Sequence, residues 1–192
     1  MMLKKYDKPL AVLFGFLTLV FLVIAFTNKD FLDWAFARHH NQLSWYIRPL
    51  FILPFCYFAY KRSLAGISVT IFCLLTSMFW FPEPNTVSNQ VKDFLQFEVD
   101  YLTGEWGIGK ILITSIVPIS LTALAVAFWK RNVMIGLTVI VFIALGKMGW
   151  SVIFAGESGK SIMIPAISGL MICVGLVYWG IKRSQKKSNI TH

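Results

Sequence analysis

The chain has 192 residues, 57% of them hydrophobic and 14% charged, with a net charge of +9. That balance excludes an ordinary soluble domain, because the apolar residues come in long blocks and the charges punctuate the gaps between them. It also removes the nucleic-acid reading that a basic soluble protein would invite, since the lysines and arginines sit at the edges of membrane-length segments.

A hydrocarbon core about 30 Å thick is crossed by about 20 helical residues. Six runs have that length: 9–27, 43–60, 63–81, 108–129, 132–155 and 161–181. They are read as helices, since only helices and closed barrels satisfy the backbone in lipid, and barrel strands would alternate in polarity at half this length. The expected fold is an all-α membrane protein of six transmembrane helices, a single transmembrane domain over 1–192.

The first run follows Lys4, Lys5 and Lys8, and Ala35-Phe36-Ala37 resembles a small-residue cleavage site. The apolar stretch is too long for a signal peptide and the site lies too far beyond it, so the run is read as a retained helix. His39 and His40 follow in the first loop, beside Asp33 and Arg38. Adjacent histidines lack the i, i+3 or i, i+4 spacing that converges on a metal, and they are expected to be interfacial or solvated. The second run carries Arg48 about 8 Å below its start, then Pro49, and closes on Lys61-Arg62. The third ends at Phe81-Pro82-Glu83-Pro84.

The loop that follows predicts an amphipathic helix over about 86–103. Val87, Val91, Phe94, Leu95 and Leu102 share one face, while Asn89, Lys92, Asp93, Gln96 and Asp100 take the other. Such a helix is expected to lie on the outer membrane surface or over the mouth of the bundle. Glu98 points into the middle of its apolar stripe. Either it pairs with a buried cation or it tilts towards headgroups and water.

The fourth run contains Pro118 and ends at Lys130-Arg131, and the fifth carries Lys147 about 12 Å from its outer end. Arg48 and Lys147 are the two cations within spans. Each either faces the bundle interior, where an ionisable residue suggests function, or snorkels to the headgroups. Gly156-Glu157-Ser158-Gly159-Lys160-Ser161 resembles the end of a phosphate-binding loop, but the first glycine of that motif would fall on Phe154, and the segment before it is a span rather than a strand. The G-x-S-G within it matches the nucleophile pattern of rhomboid proteases. The only later histidine is His192 in the tail, so the serine has no base. Cys56, Cys73 and Cys173 are isolated within spans and read as small packing residues. The chain carries no catalytic set, cofactor motif or metal-ligand pattern, and no family motif.

Two features organise the whole. At an offset of 69, Pro49 meets Pro118, Tyr60 meets Trp129 and Lys61-Arg62 meets Lys130-Arg131; at 70, Gly66 meets Gly136, Met78 meets Met148 and Trp80 meets Trp150. The second and third spans therefore read as a hairpin (about 43–81) duplicated in the fourth and fifth (about 108–155), in the same orientation, with each proline bending its helix. Eleven cations, including those of a basic tail over 182–192, fall on one side of this arrangement and five on the other. By the positive-inside rule both termini are cytoplasmic, with the basic tail meeting anionic lipid headgroups, and the small, loop-poor design suggests a bacterial-type inner membrane.

Functionally, one carboxylate and two cations, Glu98, Arg48 and Lys147, are expected to converge at the outer mouth as a ligand-binding site with excess positive charge. That reading describes a protein that binds or passes a small polar or anionic species, or a lipid headgroup. The alternatives are a non-catalytic subunit or sensor acting through a partner membrane protein or a second copy, and a lipid-modifying enzyme built from His39 or His40 with Glu83, Glu98 or Glu105.

Overall fold

The computed structural model describes residues 2–190, without the side chains of 2–4, 181–182 and 184–190. Lys182, Lys186 and Lys187 of the expected basic tail lie outside the described side chains. All regular secondary structure among the described residues is helical: α1 (Met2–Thr27), α2 (Lys29–His39), α3 (Leu43–Leu50), α4 (Ile52–Tyr60), α5 (Leu64–Thr76), α6 (Asn89–Thr103), α7 (Ile108–Trp129), α8 (Val133–Gly159) and α9 (Met163–Ile190). Short 3-10 turns at Ser77–Phe79 and Lys160–Ile162 extend α5 and lead into α9. Among the described residues, three stretches are long and apolar enough to cross a membrane: Lys5–Thr27, Ile108–Trp129 and Val133–Gly180. The third runs through the turn between α8 and α9.

That turn is built by glycine. Gly156 interrupts α8 with φ 58° and ψ −131°, a conformation that side-chain-bearing residues avoid. The chain then folds back until Gly159 lies against the Ser151 carbonyl, and α9 returns along α8.

The run over 43–60 is not one helix. Pro49 and Pro54 each lack a donor, and the ring of Pro54 opposes the carbonyl of Leu50, so the ladder breaks at Phe51 between α3 and α4. Pro118 leaves α7 continuous, so the two prolines act differently. The kinked side of α3 receives α9: a methyl at Gly169 would lie 2.4 Å from Pro49 Cβ, and Cys173 Sγ donates to the Pro49 carbonyl at 3.3 Å.

Both Lys-Arg turns have one construction. Arg62 and Arg131 are left-handed, with φ 58° and 59°. The N–H of Ser63 reaches Phe58 O at 3.0 Å and that of Asn132 reaches Ala127 O at 2.9 Å, which closes a Schellman cap at each site. Ser63 and Asn132 then cap α5 and α8 by accepting from Gly66 and Ile135. Asp7 of α1 reinforces the first of these ends, accepting from Ser63 Oγ at 2.6 Å and from the Leu64 and Ala65 N–H groups.

Close packing follows the turns. A methyl at Gly66 would lie 2.2 Å from Phe58 Cγ, and one at Gly136 would lie 2.4 Å from Phe128 Cε2. Gly66→Ala is therefore expected to cost about 1–2 kcal/mol by overpacking, and Gly136→Ala less, because only the ring edge must move. Thermal unfolding of the purified variants in detergent measures both.

The core has two parts. At the Lys-Arg end, Phe55, Cys56 and Ala59 of α4 meet Leu124 and Phe128 of α7, Ile140 of α8 and Cys173 of α9. At the other end, Leu32 and Phe36 of α2 and Trp45 of α3 meet Val91, Phe94 and Leu95 of α6, Met148 of α8 and Ile162. Lys92, Asp93, Gln96 and Asp100 of α6 are exposed.

Candidate functional site

The polar side chains of interest lie at the α6 end of the bundle. α2 starts at Asn28, whose side chain accepts from Phe31 N at 2.9 Å, and it buries Leu32, Ala35, Phe36 and His39, an i, i+3, i+4, i+7 stripe. The stripe delivers His39, 4% exposed, against the start of α3. There Trp45 Nε1 donates to the His39 carbonyl at 2.9 Å, and the Trp45 ring lies 5.9 Å from the imidazole.

Both ring nitrogens of His39 are engaged. Arg48 Nη1 lies 3.1 Å from Nε2, and Ser44 Oγ lies 2.9 Å from Nδ1. A guanidinium has no acceptor, so Arg48 donates and Nε2 accepts. The proton therefore sits on Nδ1 and is donated to Ser44 Oγ, which in turn donates to the Asn41 carbonyl at 2.8 Å. Asn41 Nδ2 continues the chain to the Pro82 carbonyl at 3.0 Å, tying the loop before α6 to the same network. Burial, then the charges of Arg48 and Lys147, hold the His39 imidazole well below its ordinary pKa of 6.5. His39 is a neutral acceptor for a cation.

Glu98 and Lys147 meet directly, with Lys147 Nζ donating to Glu98 Oε1 at 2.6 Å. Lys147 also lies 4.6 Å from the centroid of Trp150 and 5.5 Å from that of Phe94, within cation–π range. The Trp150 indole N–H is buried without an acceptor among the described residues. Arg48 lies within electrostatic reach of Glu98 and makes no ion pair among the described residues; its hydrogen bond goes to His39. The cluster therefore holds two cations against one carboxylate.

No family model, curated protein or solved structure matches this chain. The site has to be read from its own chemistry.

Of the three residues singled out by sequence, the structure joins Glu98 to Lys147 and sets Arg48 beside them on a different partner. His39 was missed. Reading it as a loop residue overlooked the Asn28 cap and the apolar spacing that ends on it, and these two signals together mark a helix with His39 on its buried face. His40 remains apart, with Nδ1 donating to the Phe36 carbonyl at 2.9 Å. With Glu83, Pro84, Asn85, Val87 and Lys92 it lines a cavity of about 210 Å³ on the loop side of α6.

The phosphate-loop resemblance finds a structural explanation. Lys160 donates to both carboxylate oxygens of Glu157, at 2.6 and 2.8 Å, and Ser158 and Ser161 bond to carbonyls within the turn. Among the described residues no group of side chains has the makings of a metal site.

Proposed function

We propose that this chain is a multi-pass protein of a bacterial-type inner membrane that binds an anionic group, a lipid phosphate or a small oxyanion, at Arg48 and Lys147. The observation that carries this reading is the pairing of Arg48. Its partner is a neutral histidine, and the one nearby carboxylate is already engaged by Lys147. A half-buried guanidinium with free N–H donors, and with its nearby carboxylate shared with a second cation, attracts an anion strongly in a medium of low dielectric.

Binding is favoured over passage by what lies beneath the site, where Phe55, Ala59, Leu124, Phe128 and Ile140 close the bundle. Six crossings follow if α3 with α4, and α5 with its 3-10 turn, also span, and if Val133–Gly180, at 48 residues, crosses twice. α6 then lies at the outer interface, with both termini cytoplasmic as the basic residues direct.

The duplicated hairpin draws support from reciprocal contacts: Arg62 Nε donates to the Trp129 carbonyl at 3.3 Å, while the Arg131 guanidinium lies 5.1 Å from the Tyr60 ring centroid. Tyr60 and Trp129 are equivalent in the repeat, as are Arg62 and Arg131. Such an exchange is what a two-fold axis along the membrane normal produces.

The test is lipid retention. Native mass spectrometry of the detergent-purified chain is expected to find an anionic phospholipid on the wild type, reduced about tenfold or more in Arg48→Gln and Lys147→Gln, a loss of roughly 1.4 kcal/mol or more. Equal retention by all three proteins, together with no stabilisation of any of them by sulfate, would overturn the reading.

A further inference from the structure

His39 has so far served only to hold Arg48, yet it is the one side chain of the cluster whose charge can change near neutral pH. The groups that face it come from four helices: His40 beside it at the end of α2, Arg48 from α3, Lys147 from α8, and Glu98 of α6, which is joined to Lys147. A proton arriving on the ring has one place to go. Nδ1 already carries hydrogen for Ser44, so the proton must bind Nε2, where an Arg48 N–H waits at 3.1 Å. Donor would then face donor and cation would face cation. Without an added negative charge that arrangement is opposed by burial and by both neighbouring charges.

An anion reverses the balance. An oxyanion seated between the two side chains accepts from the Arg48 fork and from a His39 Nε2–H at once, and its charge offsets the repulsion between them. Neutral His39 offers that oxyanion only a lone pair, which repels it.

We propose that the site takes up an oxyanion and a proton together, with His39 Nε2–H as a ligand beside Arg48. This rests on the anion-binding reading above and adds a co-ligand and a direction. By linkage, the factor by which the proton strengthens anion binding is the factor by which the anion strengthens proton binding. Affinity therefore rises as pH falls, by at most about tenfold per pH unit for one coupled proton. The chemistry is common to a lipid phosphodiester and to a free oxyanion.

Isothermal calorimetry on the full chain in detergent tests it with two probes, sulfate and soluble dihexanoyl phosphatidylglycerol, whose charges stay constant between about pH 5.5 and about pH 7.5, the range in which histidine titrates. For the wild type, at least one probe is expected to bind about tenfold or more tightly at the lower pH. Buffers of different ionisation enthalpy are expected to report uptake of about one proton per anion. His39→Gln keeps an acceptor for Arg48 but cannot titrate, so its binding is expected to be independent of pH. His40→Gln is expected to keep the dependence.

Phosphatidylglycerol binding without sulfate binding assigns the site to a lipid, and the converse assigns it to a free anion; either supports the proposal when the pH dependence is present. Binding that needs Arg48 but is equal at both pH values, or a dependence that survives His39→Gln, overturns the proton coupling and leaves the anion site standing. If neither probe binds at either pH, the anion reading fails and the coupling with it.

Discussion

Gly159→Ala is expected to unfold the turn between α8 and α9, at a cost of about 3 kcal/mol, the upper end of what overpacking exacts. The added methyl would lie 2.0 Å from the Ser151 carbonyl oxygen and 2.5 Å from its carbon. These are backbone atoms in the middle of a helix, so no rotamer change relieves the contact, whereas at Gly66 the opposing atoms belong to a phenyl ring. Gly156→Ala acts through a different term. Nothing lies within 4 Å of its missing Cβ, but φ 58° with ψ −131° is costly for any L side chain, by about 1–3 kcal/mol.

The consequence extends to the site, because the turn also holds α6: Gln90 Nε2 donates to the Glu157 carbonyl at 2.8 Å. Both variants are therefore expected to lower the thermal midpoint in detergent and to increase proteolysis between α8 and α9. Gly146→Ala, on the same helix with open space at its Cβ, is the control and is expected to behave as wild type. A Gly159→Ala protein with an unchanged midpoint would mean that α8 and α9 separate without cost.

The helical character of the chain and its three long apolar stretches are legible in the sequence for a simple reason. The apolar blocks exceed anything a soluble helix needs, and the backbone has no other way to satisfy itself in lipid. The helix Asn89–Thr103 is legible for a second reason: Val91, Phe94 and Leu95 recur at helical spacing among charges, and those three are its buried residues. What escapes is local and cooperative. The break at Phe51 needs Pro49 and Pro54 together, whereas Pro118 alone leaves α7 whole, and a single-proline rule treats the two helices alike.

The partner of Arg48 escapes because charge complementarity directs attention to Glu98. A guanidinium needs acceptors, and a neutral imidazole is one. His39 lies nine residues upstream across a helix–turn–helix, and only the path of the chain through Asn41 and Gln42 brings it back onto Arg48. Glu98 and Lys147, 49 residues apart, are found by sequence as a carboxylate in an apolar stripe and a cation within a span, both towards the outer mouth.

The buried network makes the second large effect a matter of which atom replaces the imidazole. His39→Leu removes the acceptor for Arg48 and the donor to Ser44 while leaving both groups in place, and a half-buried cation without its hydrogen bond is expensive. A loss of about 2–3 kcal/mol is expected. His39→Gln restores an acceptor near the position of Nε2, and it is expected to recover most of that loss.

The two variants also separate hydrogen bonding from titration. In the wild type His39 is held neutral in the folded state, with its pKa below the ordinary 6.5, so the unfolded chain binds more protons as pH falls. The sign follows: the His39 contribution is complete above about pH 6.5 and is lost as pH falls from there towards the folded-state pKa. His39→Gln is expected to flatten that decline while keeping stability near the wild-type level at neutral pH, and His39→Leu to flatten it at a lower level throughout. Unfolding measured across this pH range on the three proteins, without added anion, decides the matter. A decline that persists in His39→Gln would transfer the titration to another group.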